Sequence, residues 1–74
     1  MRTVEITKEP VELYKILKFE GLVASGGEAK MVISGGYVLV NGDVETRKRK
    51  KIVSGDTIEF AGQTIRILSR KSSK

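Results

Sequence analysis

The residues best suited to chemistry in this chain form a block of five consecutive cations, Arg47, Lys48, Arg49, Lys50 and Lys51, within the stretch VNGDVETRKRKKIVSGD. Neighbouring like charges repel one another, and a loop does not need such a concentration of charge to stay soluble. Guanidinium and ammonium groups that neutralise phosphates release condensed counterions and so gain affinity. The block therefore predicts an anionic partner, and we favour phosphate binding over the alternative of a solvated loop.

The charge balance strengthens this interpretation. The chain has 14 Lys and Arg against nine Asp and Glu, for a net charge of +5. The cations outside the block balance the acids, so the whole net charge lies in one short segment. A field concentrated in this way attracts polyanions more strongly than the same charge spread over the surface.

Catalytic and metal-binding chemistry finds little support in the composition. The chain contains no cysteine and no histidine, which removes the commonest nucleophiles, bases and metal ligands. Asp43 and Asp56 fall in turn sequences, where an aspartate usually accepts hydrogen bonds from backbone amides. No Gly-x-x-x-x-Gly-Lys phosphate loop is present either. We expect a protein that is not an enzyme and uses no cofactor or metal.

The length and hydropathy of the chain indicate its domain organisation and its cellular location. Seventy-four residues form one domain, which we place at residues 1–69 and follow with a flexible basic tail at 70–74. A chain of this size buries about 60% of its unfolded surface, so its core is single and modest. The sequence has no apolar signal region and no membrane-length apolar run, which indicates a cytoplasmic protein.

Two helices are predicted in the first half, after a short strand that buries Val4 and Ile6. The first helix starts with Pro10 in its first turn and stops at Gly21. Its inward face consists of Leu13, Ile16 and Leu17. About four residues later, Ser25 and Glu28 have capping-box spacing and start a second helix, which ends at the Gly35-Gly36 pair. The inward face of the second helix consists of Ala29, Val32 and Ile33.

The second half predicts strands. Val38 and Val40 share one face of a strand that enters a type I′ turn at Asn41-Gly42. Turns at SGD and AGQ then separate the alternating strands TIEF and TIRIL, which bury the apolar residues Ile58, Phe60, Ile65 and Ile67. The fold class is α+β, with two helices packed on a small, mainly antiparallel twisted sheet.

This order of elements resembles the αL motif of the S-four RNA-binding domain family over residues 11–60. The family pattern has leucines in the first helix, glycines, a cap serine, an alanine with a basic residue, a Val-x-Val-Asn-Gly hairpin and a final Val-x-x-Gly-Asp-x-Ile. The matching residues here are Leu13, Leu17, Gly21, Ser25, Ala29, Lys30, Gly36, Val38, Val40, Asn41, Gly42, Val53, Gly55, Asp56 and Ile58. This chain has one residue fewer between Val53 and Gly55 than the family pattern. The chain is most similar to the small free-standing bacterial YbcJ-like branch of the family, in which the residues ETRKR also follow the hairpin turn.

The resemblance implies non-catalytic binding of a structured RNA, such as ribosomal or transfer RNA, by a ribosome-associated monomer. The RNA-binding residues implied by the resemblance and the charge pattern are Lys15, Lys18, Gly26, Gly27, Lys30, Arg47, Lys48, Arg49, Lys50 and Lys51. Gly26 stands where many family members have an arginine, and Glu12 precedes Leu13, so the helices carry fewer cations than the family pattern. This difference shifts the expected phosphate contacts toward residues 47–51.

Alternatives from other classes also fit the sequence. The runner-up is a protein-interaction module that docks on an acidic partner in a ribosome-associated complex. Binding of single-stranded DNA would need aromatic platforms that four aromatic residues hardly supply, and an RNA-modifying enzyme ranks last. Tyr37 is expected to pack half-buried, with stacking on an unpaired base as its alternative.

Overall fold

A computed structural model describes residues 2–70 of the chain. Seven strands and two helices follow one another within this range. In chain order they are β1 (Arg2–Ile6), β2 (Val11–Glu12), α1 (Leu13–Phe19), α2 (Gly26–Ser34), β3 (Val38–Val40), β4 (Asp43–Val44), β5 (Lys51–Ile52), β6 (Thr57–Phe60) and β7 (Gln63–Ser69).

The main sheet has five strands in the order β1-β7-β6-β3-β4, and β2 and β5 form a separate two-stranded sheet. β1 runs parallel to β7, whereas the other neighbours are antiparallel. Two helices and a mainly antiparallel sheet confirm the α+β class and the αL arrangement expected from the sequence.

One apolar cluster joins the helices to the sheet. Alternate residues of β3, β6 and β7 supply its sheet side, and the inward faces of α1 and α2 supply its helix side. Its buried members are Val4, Ile6, Leu13, Ile16, Leu17, Val23, Ala29, Ile33, Val38, Val40, Ile52, Ile58, Ile65 and Ile67. Val32 and Phe60, which were predicted to face inward, are half-buried and pack against this cluster.

The β3–β4 hairpin confirms the predicted turn. Asn41 has φ 54° and Gly42 has φ 88°, as a type I′ turn requires. The Asn41 side chain donates from Nδ2 to Oδ1 of Asp56 at 3.0 Å and accepts from the Thr57 amide at 2.9 Å. Asp56 also accepts from the Val53 amide, so it occupies the turn role predicted for it. The turn is therefore tied to the start of β6.

The start of the first helix was predicted wrongly. Pro10 does not lie in the first helical turn, because α1 begins only at Leu13. Val11 and Glu12 are extended instead and pair with Ile52 and Lys51 in the two-stranded sheet. Pairing with a strand some forty positions later overrides the local helix signal of the proline.

The capping box of α2 is confirmed with one change. The Ser25 hydroxyl accepts from the Glu28 amide at 3.1 Å, but the Glu28 carboxylate accepts from the Ala24 amide, one residue before the cap. Gly35 ends the helix and Gly36 follows with φ 86°, as predicted. Six residues, rather than about four, separate the two helices.

Replacing Ser25 with alanine should lower the free energy of unfolding by about 1 kcal/mol, because the Glu28 amide loses its acceptor. Urea denaturation measures this change. Ser34→Ala is the matched control in the same helix, since the Ser34 hydroxyl donates back to the Lys30 and Met31 carbonyls and caps no free amide. Equal stability of Ser25→Ala and the parent would contradict the capping role.

The β1–β7 ladder extends to the last described residue. The Arg70 amide donates to the Ile6 carbonyl at 2.8 Å, and its guanidinium lies 3.7 Å from the Glu5 carboxylate. Residues 71–74 of the predicted tail lie outside the described residues, and its flexibility stays a prediction.

Candidate nucleic-acid interface

The cationic block spans the end of the connection between β4 and β5 and the first residue of β5, and its backbone packs against the first turn of α1. The carbonyl of Lys50 accepts from the Leu13 amide at 2.9 Å, and that of Lys48 accepts from the Tyr14 amide at 3.1 Å. First-turn amides have no partner inside their own helix. Because backbone atoms make these bonds, the loop is fixed to the helix without using its charged side chains.

The five cations differ in their surroundings. Lys48 and Arg49 form an exposed turn, and Lys50, whose amide donates to the Arg47 carbonyl at 3.1 Å, is half-buried. Lys51 lies in β5 opposite Glu12 rather than in a loop, although its side chain is exposed. The block is therefore a short turn followed by a strand residue, not five equivalent loop positions.

Tyr14 brings the helix pair and the block together. The Lys30 Nζ lies 4.8 Å from the centroid of the Tyr14 ring, and the Lys15 Nζ lies 6.0 Å from it. The Tyr14 amide is bound by Lys48, and a Cβ on Gly26 would lie 4.0 Å from the edge of its ring. Residues of α1, α2 and the block thus meet at Tyr14, where Lys30 lies over the ring and Lys48 binds the backbone amide.

The remaining helix positions flank Tyr14. Lys18 is exposed one turn further along α1, on the side of the helix that Tyr14 occupies. Lys15 is exposed but lies 3.4 Å from the Glu12 carboxylate, which offsets part of its charge. Gly27, next to Gly26 in the first turn of α2, is exposed.

Arg47 is the exception to the uncompensated charge that the sequence indicated. The Glu45 carboxylate accepts from the Arg47 amide at 3.0 Å, from its Nε at 2.9 Å and from its Nη2 at 3.2 Å. The hydrogen bonds from Arg47 lower the pKa of Glu45, and the carboxylate raises the pKa of Arg47. The pair stays ionised at neutral pH, so one of the five charges has a fixed partner.

Two residues of the candidate interface, Tyr14 and Glu45, were not predicted from the sequence. Tyr14 was counted only among the aromatics, because its contacts with Lys30 and Lys48 arise from tertiary packing. Glu45 did have a signal: residues two apart in extended chain share a face, so an acid two residues before Arg47 predicts a pair.

Tyr37 was predicted to be half-buried, and this was wrong. Tyr37 is 70% exposed. The ring lies against Gly35, where an added Cβ would approach Cε2 of Tyr37 to 2.9 Å. The tyrosine therefore covers the end of α2 without entering the core.

Within residues 2–70 no group of three or more acidic, histidine or cysteine side chains is placed to hold a metal ion. In the same range, neither helix is long and apolar enough to cross a membrane.

Comparison with known proteins places this geometry in a family. The model of the S4 domain matches residues 4–68. The chain belongs to the S4 domain family. This confirms the resemblance to the S-four family that the sequence motifs suggested.

Individual relatives narrow the comparison. The chain is 49% identical over 70 residues to the "Putative RNA-binding protein YbcJ" of Escherichia coli K12, with 93% of this chain and all of YbcJ covered. It is 36% identical over 59 residues to the "Probable ribosome maturation protein RlbA" of Bacillus subtilis 168, with 80% of this chain and 83% of RlbA covered.

A solved structure matches as well. The solution structure of YbcJ from E. coli, described as revealing an αL motif involved in RNA binding, has a TM-score of 0.70 and 48% identity. The match covers 92% of this chain and 87% of YbcJ. The αL fold of the chain is therefore the fold of a YbcJ-like protein.

Proposed function

We propose that this chain is a non-catalytic RNA-binding protein that recognises structured RNA, ribosomal or transfer, through phosphate contacts. The observation that carries the proposal is the joining of the block at residues 47–51 to the helix pair. Backbone hydrogen bonds to Leu13 and Tyr14 hold the block in place and leave the side chains of residues 48–51 for an anionic partner. The names of YbcJ and RlbA support RNA and the ribosome as the setting.

The contacts follow from the arrangement around Tyr14. Lys48, Arg49, Lys50 and Lys51 meet one stretch of RNA backbone, and the lysines of α1 and α2 meet another. Phosphate contacts of this kind position the RNA and carry no sequence information. A-form RNA hides its major-groove base edges and displays backbone and 2′-hydroxyls, so this surface reads shape.

The first turn of α2 supplies a further contact in this proposal. The Glu28 amide is taken by the Ser25 hydroxyl, whereas the Gly26 and Gly27 amides precede it at the positive end of the helix. A Cβ on Gly27 would meet nothing closer than 3.8 Å, so the surface around it is open. Because neither glycine has a side chain of its own, a phosphate oxygen can approach both amides in this proposal.

The setting is also part of the proposal. We place the protein in the cytoplasm as a monomer that binds the ribosome or an assembly intermediate. The named role of RlbA in ribosome maturation supports this setting.

Binding should be tested with ribosomal RNA fragments and transfer RNA over a salt series, alongside a DNA duplex of the same base-pair sequence. Tight, steeply salt-dependent binding that favours RNA, with the RNA recovered intact, supports the proposal. Crosslinking in cells followed by sequencing of the bound RNA identifies the target. Equal binding to RNA and DNA would contradict recognition of A-form shape.

A protein-interaction module is the second candidate. A groove of about 270 Å³ between β1 and α1 favours it, since Val4, Ile16 and the 70% exposed Phe19 line the groove. A protein partner predicts a shallow salt dependence and loss of binding when Phe19 is replaced. Unchanged RNA binding by Phe19→Ser separates this candidate from the first.

The Tyr14 ring should matter for RNA affinity because it orders the Lys30 ammonium. Tyr14→Leu is expected to lower affinity several-fold, as a cation over an aromatic face gains about 0.5–1 kcal/mol at an exposed site. Tyr14→Phe keeps the ring and should bind like the parent. Fluorescence anisotropy with a labelled RNA measures both variants. If the leucine variant binds like the phenylalanine variant, the ring has no role in ordering Lys30.

A further inference from the structure

The Glu45–Arg47 pair differs from an ordinary surface ion pair. The Arg47 side chain is 71% exposed, whereas that of Glu45 is only 12% exposed. The Glu45 amide donates to the carbonyl of Val38, a fully buried residue of β3. The carboxylate is therefore anchored on the sheet, and it holds an arginine that projects into solvent.

The carboxylate takes only one edge of the guanidinium. Nε and Nη2 donate to its two oxygens, and the Arg47 amide donates to Oε2 as well. A guanidinium has five N–H donors in a rigid planar fork. The donors of Nη1 and the second hydrogen of Nη2 point away from Glu45, so a parallel pair of donors faces outward.

We infer that Glu45 presents Arg47 as a reader of the Hoogsteen edge of an unpaired guanine. A guanine offers two acceptors, O6 and N7, side by side, and an arginine fork donates to both. This inference rests on the proposed RNA binding and adds a base-specific contact to a surface otherwise built from phosphate contacts.

A base edge fits this arginine better than a phosphate does. Affinity for phosphates comes largely from net positive charge and counterion release. Glu45 offsets the charge of Arg47 but leaves its outward pair of N–H donors intact. Arg47 therefore loses electrostatic affinity for phosphate but keeps the donor geometry that a base edge requires. The guanine must be unpaired, because the major groove of an RNA duplex is too deep and narrow for a side chain.

The test uses RNA hairpins that share one stem. One loop contains only uridines, the second contains guanosines among them, and the third carries 7-deazaguanosine, which lacks the N7 acceptor. The parent protein should bind the guanosine loop about tenfold more tightly than the other two. Arg47→Lys should bind all three alike, because an ammonium keeps the charge without the fork.

Arg66→Lys is the matched control, since Arg66 is an exposed arginine of β7, outside the proposed RNA contacts, with no ion pair found within residues 2–70. It should keep the preference for guanosine. Glu45→Gln should lose the preference for guanosine, because the guanidinium of Arg47 is no longer held in place. It should not weaken binding to the uridine loop, because the substitution removes a negative charge. A merely structural role of Glu45 would weaken both loops together.

The outcomes separate the two proposals. Equal affinity of the parent for the guanosine and 7-deazaguanosine loops overturns the guanine contact and leaves phosphate binding standing. So does a guanosine preference that survives in Arg47→Lys. A parent protein that binds none of the hairpins overturns RNA binding itself and this inference with it.

Discussion

Replacing Arg47, Lys48, Arg49, Lys50 and Lys51 together with serine should weaken binding to a structured RNA by orders of magnitude at low salt. The slope of log K against log salt should become shallower by roughly 3, since each phosphate contact contributes slightly less than one unit. We expect three or four contacts rather than five, because Arg47 is paired with Glu45. Salt titrations of the variant and the parent measure both quantities.

The fold should survive this fivefold change. The block holds α1 through the carbonyls of Lys48 and Lys50, and serine keeps both carbonyls. None of the five side chains belongs to the buried core. Circular dichroism and urea denaturation verify folding, so that a loss of binding is assigned to charge.

The matched comparison is a set of charge-neutral changes at Lys15, Lys18 and Lys30, each expected to cause a smaller loss in keeping with a single contact. Lys15 should have the smallest effect, because Glu12 lies 3.4 Å from its ammonium. If the fivefold variant keeps the affinity and slope of the parent while the helix changes abolish binding, the block is only a solvated connector.

Features set by neighbouring residues were predictable. Ser25 and Glu28 lie three apart and form the cap, and Asn41-Gly42 forms the hairpin turn because both adopt positive φ. The alternation of Ile65 and Ile67 likewise placed the last strand and its inward face. In each case the physical cause lies within a few residues of sequence.

Features set by distant partners were not predictable. Val11 and Glu12 become a strand because Lys51 and Ile52 offer them one, and Pro10 is thereby displaced from the helix. Tyr37 stays exposed because its ring rests on Gly35 rather than on the core. Single-sequence patterns do not contain these tertiary choices.

The candidate site also combines features that neighbouring residues determine with features that distant partners determine. The cations of residues 47–51 were visible as a charge run, but their attachment to α1 depends on backbone bonds between residues more than thirty positions apart. Their proximity to Lys30 arises through Tyr14, whose amide donates to the Lys48 carbonyl and whose ring lies 4.8 Å from the Lys30 Nζ. The sequence therefore supplied the charged residues, and the fold supplied their common surface.

Replacing Gly42 with valine should cost about 2 kcal/mol of unfolding free energy or more. Gly42 has φ 88°, a region that a side chain with a branched Cβ enters only with strain. A Cβ at this position would meet nothing within 4 Å, so the cost arises from the backbone and not from a clash. For a domain of this size such a loss is a large fraction of the total stability.

Gly42→Asn is the matched control, because asparagine tolerates positive φ and has a side chain of similar size. Urea denaturation should show a clearly smaller loss for asparagine than for valine. Equal losses would contradict a conformational origin.

The turn at Gly42 also supports Arg47 indirectly. Val38 of β3 accepts from the amide of Glu45, which follows β4, and the Glu45 carboxylate holds Arg47. A strained turn should therefore disorder Arg47 and reduce the guanosine preference in the hairpin assay. The asparagine variant should retain that preference, so the turn and the arginine can be tested as one connected unit.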